Sequence, residues 1–194
     1  MRKVVVINHL TLDGVMQAPG RPGEDTRDGF EHGGWAAPRT DEVMGRAMAE
    51  RMGGGGPLLL GRRTYEDFAS FWPTQKDSPF TEPLANATKY VASRTLEEPL
   101  GWSNSTLLRG DAADAVAGLK QEAGKDLTVL GSGELIRSVM GSGLIDEWML
   151  LIHPLVLGAG RRLFGEGTPA SLELLASVTT TTGVVIATYR RSGA

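Results

Sequence analysis

Apolar residues come in short runs along this chain, and glycine or proline breaks separate them. Val4 to Asn8, Leu58 to Leu60, Lys89 to Ser93 and Leu127 to Leu130 each read as a strand. The stretches between them carry helical spacing. Val43, Met44, Ala47, Met48 and Met52 form an apolar stripe on a helix that follows from Thr40. Asp41 and Glu42 suit its positive end, and Gly53 to Gly56 stops it. A methionine stripe at this spacing is core packing before it is a cofactor contact. Asp111 or Asp114 caps a further helix that runs through Lys120 and ends at Gly124. Strand and helix alternate, which predicts an α/β fold with a mostly parallel sheet covered on both faces. Glu147 to Ile152, Leu172 to Leu175 and Val184 to Arg190 then read as strands with no helix between them, so an antiparallel C-terminal edge is expected.

Two strand ends carry more than a turn. After Leu60 the chain continues Gly61-Arg62-Arg63-Thr64-Tyr65-Glu66-Asp67-Phe68. A strand-turn-helix junction at the carboxyl edge of a parallel sheet leaves the first helix N–H groups unpaired, so it attracts anions. Arginines at that mouth suit a phosphate. The structural alternative is that Thr64 is only an N-cap, with Asp67 completing a pair like a capping box. Gly131-Ser132-Gly133, followed by the helical pattern Glu134 to Met140, repeats the junction, and its glycines let backbone approach a ligand closely. The missing third glycine and late position separate it from the dinucleotide fingerprint of a first strand.

The 194 residues, 41% hydrophobic with a formal charge of −3, fit a single domain spanning 1–194. The chain has no cysteine, which excludes disulfides and thiolate metal sites and makes the cytoplasm the default location. No apolar run approaches a membrane span, and the first is too short for a signal-peptide core. No basic stripe invites nucleic acid. Three histidines, none at His-x-x-x-His spacing, give no expectation of a metal. Residues from about His9 to Arg39 form a glycine- and proline-rich loop, and loops of that length carry function or disorder. We expect it to be a substrate-side lid, with Trp35 lining the pocket.

In order along the chain, Thr11-Leu12-Asp13-Gly14, Gly61-Arg62-x-Thr64-Tyr65-Glu66 and Gly131-Ser132-Gly133-Glu134-Leu135 lead to Asp146-Glu147 and Pro154-Leu155-Val156-Leu157-Gly158-Ala159-Gly160-Arg161-Arg162-Leu163-Phe164. This ordered set resembles the dihydrofolate-reductase-like superfamily, and within it the reductase domain of the bifunctional riboflavin-biosynthesis deaminase-reductase and its stand-alone relatives. His32-Gly33-Gly34-Trp35 is similar to the stand-alone bacterial branch. The resemblance covers nearly the whole chain. It implies a dihydrofolate-reductase-like three-layer fold, NADPH as cofactor, a small heterocyclic acceptor that is aminopyrimidine- or pterin-like, and a homodimer. By position, Gly61, Arg62 and Thr64 match the turn that holds the adenosine side of NADPH. Ser93 and Arg94 match the strand end at its 2′-phosphate, and Gly131, Ser132 and Gly133, with Leu135 behind them, match the pyrophosphate loop. A planar guanidinium suits a phosphate dianion, which favours NADPH over NADH.

The nicotinamide is then expected near the first strand, where His9 to Met16 and the Gly158 loop can close over it. His9, Met16, Trp35 and His153 are the expected acceptor contacts. The cofactor carries the hydride, and the protein has to orient the acceptor, exclude water and supply one proton. Asp13, His9, Asp41 and His153 are candidate acids, Asp13 first among them. Each has a structural alternative, because Asp13-Gly14 is a good turn, Asp41 a good first-turn residue, and a lone histidine more often packs. Folate reductases place their acid inside the helix after the mobile loop, whereas Asp41 and Glu42 lie at its start. No Cys- and His-bearing zinc segment is present, so deamination is excluded. A non-catalytic NADP(H)-binding sensor or scaffold is the second reading. The apolar run Leu144 to Ile152 is the sequence argument for pairing of two copies.

Overall fold

Strands apolar at every position are satisfied only in the middle of a sheet with a layer on each side. The computed structural model, which describes residues 1–165 and 169–193, puts such strands there. Its strands are β1 (Val4–Thr11), β2 (Leu58–Gly61), β3 (Lys89–Ala92), β4 (Ser105–Leu108), β5 (Leu127–Leu130), β6 (Glu147–His153), β7 (Leu172–Thr179) and β8 (Val185–Arg191). They form one sheet in the order β4-β3-β2-β5-β1-β6-β8-β7. All neighbours from β4 to β6 pair in parallel, β8 runs antiparallel to β6, and β7 antiparallel to β8. This is the mostly parallel α/β sheet with an antiparallel C-terminal edge that the sequence predicts.

The helices are α1 (Glu42–Met52), α2 (Arg62–Phe71), α3 (Thr81–Asn86), α4 (Ala112–Gln121) and α5 (Gly133–Met140). Alternate residues of the central strands pack into two layers. Val4, Val6 and Val129 meet Val116 and Leu119 of α4 and Ile136 and Val139 of α5 on one face. Ile7, Leu58 and Leu60 meet Met44 of α1, Tyr65 of α2 and Leu84 of α3 on the other. A third, small cluster holds Val15, Ala18, Phe30, Trp35 and Ala36, so the long segment after β1 has a core of its own.

Several boundaries differ from the sequence expectation. β1 continues to Thr11, and the connection therefore starts at Leu12. α2 begins at Arg62 with Gly61 as its N-cap, so Thr64 sits inside the first turn and caps nothing. α3 and β4 were not expected: α3 is short and carries Pro83, and β4 buries only Leu107. The parallel strands all point their carboxyl ends to one edge, and α2, α4 and α5 start there. In open α/β sheets that edge is where ligands bind.

Candidate functional site

A cleft of about 1370 Å³ runs along this edge, from the ends of β3 and β4 past β2 and β5 to the end of β1. A pocket for one drug-sized ligand is about 300–1,000 Å³. The cleft therefore has room for a long cofactor and a second molecule.

Its first half is built from helix starts. Asp41 caps α1 by accepting from Met44 N, and Asp111 caps α4 by accepting from Ala113 N and Asp114 N. α2 and α5 have no side-chain cap, and both open on the cleft. Their first N–H groups are left for a ligand, and the positive ends of two helix dipoles converge. Ser132, the N-cap of α5, lies in the left-handed region at φ 62° and ψ 50°. A non-glycine residue held there signals an imposed constraint. Its cause is visible: Ser132 Oγ accepts from Gly61 N at 2.9 Å and donates to Thr64 Oγ1 at 2.9 Å, tying the two junctions together. A Cβ at Gly133 would meet Met16 Sδ at 2.7 Å, so Met16 would have to move to admit one. Arg62 has only a loose contact with Glu66 at 4.0 Å, and Arg94 has no carboxylate partner among the described residues.

The second half is apolar and its cations are paired. Met44 and Met48 of α1, with Phe68, Trp72 and Phe80, form the wall. The methionine stripe thus packs on the core along one side and lines the cleft along the other. Arg21 Nη1 donates to Asp67 Oδ2 at 3.0 Å, its Nη2 bonds Oδ1, and the guanidinium lies over the Phe71 ring at 4.4 Å. Arg27 is bonded to Asp25 through Nε at 2.8 Å and reaches Glu134 at 3.3 Å. The segment after β1 is thereby strapped to both banks. Two imidazoles meet at its base: His9 Nδ1 is 2.9 Å from His153 Nε2. Burial above all, with its neighbour His153 second, lowers the His9 pKa to about 3. Burial, then the charge of Arg39, lowers His153 to about 4.

Every cofactor residue expected from the sequence lines this cleft: Gly61, Arg62, Thr64, Ser93, Arg94, Gly131, Ser132, Gly133 and Leu135. The acceptor and acid set splits. His9 and Met16 are on the wall, whereas Asp13, Asp41, Trp35 and His153 are not. Asp13 accepts from Thr11 Oγ1 at 2.6 Å and from the N–H groups of Leu157 and Gly158, and pairs with Arg162 at 3.7 Å. The Thr11 hydroxyl above all lowers its pKa to about 2, and these bonds make Asp13 a clasp between two loops. Asp41 accepts from Met44 N with one oxygen and from Thr181 N and Oγ1 with the other, fastening α1 to the turn before β8. Trp35 is 7% exposed, and its Nε1 donates to Gln17 O at 2.7 Å, so it anchors the segment and lies off the cleft wall. His153 is fully buried behind His9.

The structure adds wall residues that the sequence reading missed. Glu24 lies in the loop with its pKa raised by burial, although Gly20 N and Arg21 N donate to it at 2.7 and 3.1 Å. Arg137, one turn into α5, and Gly110 to Ala112 at the start of α4 also line the cleft. The helical spacing from Gly133 to Arg137 could have found Arg137; the helix start at Asp111 was expected, but without β4 before it nothing placed it on this edge. Among the described residues no cluster of three or more His, Asp or Glu could hold a metal ion, and no helix is long and apolar enough to cross a membrane.

Sheet and cleft together define an α/β protein of the dihydrofolate-reductase type, with two helix starts that lack side-chain caps at the cleft edge. The chain belongs to the RibD C-terminal domain family, which matches residues 2–186. Two solved structures share its fold. One, from Shewanella sp. PV-4, is described as a riboflavin biosynthesis protein; it has a TM-score of 0.67 and 24% identity over 98% of this chain and 99% of that one. The other is a pyrimidine reductase-like protein of Corynebacterium diphtheriae, at a TM-score of 0.66 and 12% identity over 98% and 92%. The uncharacterized protein YyaP of Bacillus subtilis (strain 168) is 32% identical over 142 residues, 70% of this chain and 74% of YyaP. YwjB of the same bacterium, also uncharacterized, is 32% identical over 111 residues, 57% of this chain and 59% of YwjB. Family membership supports a reductase role.

Proposed function

We propose that the protein is an NADPH-dependent reductase of a small, flat heterocycle of aminopyrimidine or pterin type, working in the cytoplasm. One observation carries this reading: the α2 and α5 starts, neither with a side-chain cap, both open on one cleft, with Arg62 and Arg94 lacking a close carboxylate at its rim. The residues present fit the cofactor, because the α5 start that follows Gly131 has no side-chain cap and opens on the cleft, where its backbone N–H groups suit a pyrophosphate. Arg62, Thr64 and Arg94 hold the 2′-phosphate, and the N–H groups after Gly131 hold the pyrophosphate. When bound, the reduced nicotinamide supplies a hydride. The methionine and aromatic wall holds the acceptor ring, and the strapped segment from Met16 to Arg27 keeps water out.

A binding protein without turnover is the second reading, favoured by the placement of Asp13 and Asp41 outside the cleft wall. Fluorescence titration with NADPH and NADH, followed by NADPH oxidation over a panel of pterins and aminopyrimidines, separates the two. Binding with turnover supports the reductase, and binding without turnover the sensor. Failure to bind NADPH overturns both.

The proposed assembly is a homodimer, on different grounds from those in the sequence. Trp148 to Leu151 of the apolar run are buried within this one chain. The uncovered apolar surface is on the outermost strand β7, where Leu174, Leu175 and Val178 are 53%, 44% and 44% exposed. A long edge strand of that kind calls for a covering partner. Light scattering is expected to give twice the chain mass of 20.7 kDa; the monomer value refutes the dimer.

A further inference from the structure

The imidazole pair at the end of β1 has no part in holding a cofactor phosphate, and its hydrogen bonding is incomplete in an informative way. His153 ends β6 with no exposed surface, its ring edge-on to Trp35 at 5.1 Å. Its Nε2 meets His9 Nδ1, while its Nδ1 is buried with no partner. His9 lines the cleft, and its own Nε2 bonds to no other described residue and is not enclosed.

A neutral imidazole carries one N–H, so one ring donates across the pair and the other accepts. If His9 Nδ1 donated, the single proton of His153 would sit on the buried Nδ1 and have nothing to bond. An orphaned buried N–H is rarer and dearer than a bare lone pair. The His153 proton therefore lies on Nε2 and points at His9 Nδ1. That leaves the His9 proton on Nε2, at the cleft wall. Charging either ring would put a proton on the buried, unpartnered His153 Nδ1 or set two donors against each other at 2.9 Å, with Arg39 nearby, so the pair stays neutral.

We infer that His9 presents a neutral Nε2–H to the acceptor, and that His153 is a positioning residue that fixes this tautomer. The inference rests on the reductase reading and specifies what the chain supplies at the reacting end. A hydride from reduced nicotinamide adds to the carbon of a C=N or C=O group, and the π pair moves onto the heteroatom. The His9 N–H stabilises that developing charge. A proton from water then completes the N–H or O–H bond, leaving the reduced acceptor and oxidised nicotinamide. A donor fixed before the reaction acts without reorganisation, which is why such groups weigh heavily in catalysis.

Ring-nitrogen NMR of the free protein tests the tautomer. Both histidines are expected neutral with the proton on Nε2, and a proton on His9 Nδ1 overturns the inference. His153→Phe keeps the bulk and removes the donor, so His9 is expected to become a mixture of tautomers; an unchanged His9 spectrum removes the positioning role. His153→Gln, with an amide donor, is expected to restore the single tautomer and serves if the Phe variant does not fold. With the acceptor found in the panel, His9→Ala is expected to lower kcat by about a hundred- to a thousandfold with NADPH affinity unchanged, and His9→Gln to recover part of it. An unaltered kcat in His9→Ala overturns the catalytic role. Failure of the wild type to bind NADPH instead sinks the reductase reading, while the spectrum still decides the tautomer.

Discussion

At the ends of β2 and β5, positive potential is left open: two helix starts lack caps, and Arg62 and Arg94 have no close carboxylate. At the end of β1 charge is closed off. Arg21 and Arg27 are spent on Asp67 and Asp25, the two imidazoles are held neutral, and the wall is methionine and aromatic. One half is made for an anion and the other for an uncharged ring. A substrate phosphate would need a free cation on the cleft wall at the β1 end, where Arg21 and Arg27 already have partners.

The largest test concerns what holds the uncharged half in place. Trp35 was expected to stack on the acceptor, but it fills the small core under the loop and donates to Gln17 O. Trp35→Ala is therefore expected to cost stability, about 3–5 kcal/mol for a buried aromatic, measured by urea unfolding. Unchanged unfolding with weakened acceptor binding would return Trp35 to the ligand. Hydrogen exchange sharpens the same point, since residues 16–27 are expected to slow with both ligands present. Slow exchange there in the free protein, unchanged by ligand, would make the segment structural and end its role as a lid.

Acid tests the neutral pair. Unfolded histidine titrates near 6.5, whereas His153 and His9 titrate at about 4 and about 3 in the fold. Between those values the unfolded chain binds protons that the native state does not, so stability falls as the pH drops from 6.5 and the loss is complete below the folded values. For His153 the lowering is on the order of 3 kcal/mol. Asp13 acts in the opposite range: its folded pKa near 2 adds stability above the ordinary carboxylate value of 3.8, lost only as pH falls towards 2. Unfolding measured between pH 6.5 and 4.5 thus reads the histidines against Glu24, whose pKa burial raises and whose contribution has the opposite sign, so the His153 variant is what isolates the pair. His153→Phe is expected to flatten that slope, and an unchanged slope would mean the pair is not buried as described.

The charged half yields an effect of similar or smaller size. One charge-assisted phosphate contact contributes about 1.5–3 kcal/mol, so Arg62→Ala or Arg94→Ala is expected to weaken NADPH about ten- to a hundredfold and NADH less. Equal losses for both cofactors would remove the 2′-phosphate assignment.

The same contrast explains what was legible in the sequence. Gly61-Arg62-Arg63-Thr64 and Gly131-Ser132-Gly133 are contiguous, because an anion site at a helix start is made by neighbours in the chain. The opposite half is assembled from distant residues. His9 and His153 lie 144 positions apart, and Arg21 meets Asp67 across 46, so no local pattern announces either pair. Their place beside the expected nicotinamide made Asp13 and Asp41 candidate acids, and only their partners, the N–H groups of Leu157 and Gly158 and the turn at Thr181, show that they fasten loops. β4 escaped notice because a strand at the sheet margin exposes most of its residues and loses its apolar signature.

The smallest expected effect lies where the two halves meet. Glu134, in the first turn of α5, is bonded by Arg63 at 3.0 Å and approached by Arg27 at 3.3 Å and Arg161 at 3.6 Å. Its side chain is 65% exposed, so each pair is a solvated contact of about 0–1 kcal/mol. A carboxylate in that place holds three guanidinium groups together and also repels a pyrophosphate arriving at the helix start. Removing its charge frees cations and lifts the repulsion at once, while the loss of the ion pairs costs little. Glu134→Gln is therefore expected to tighten NADPH by about two- to fivefold, an effect that shrinks as salt is raised. Weaker binding in that variant would show that the arginines need Glu134 to hold them in place, and that the rim, like the β1 end, works through charges already paired.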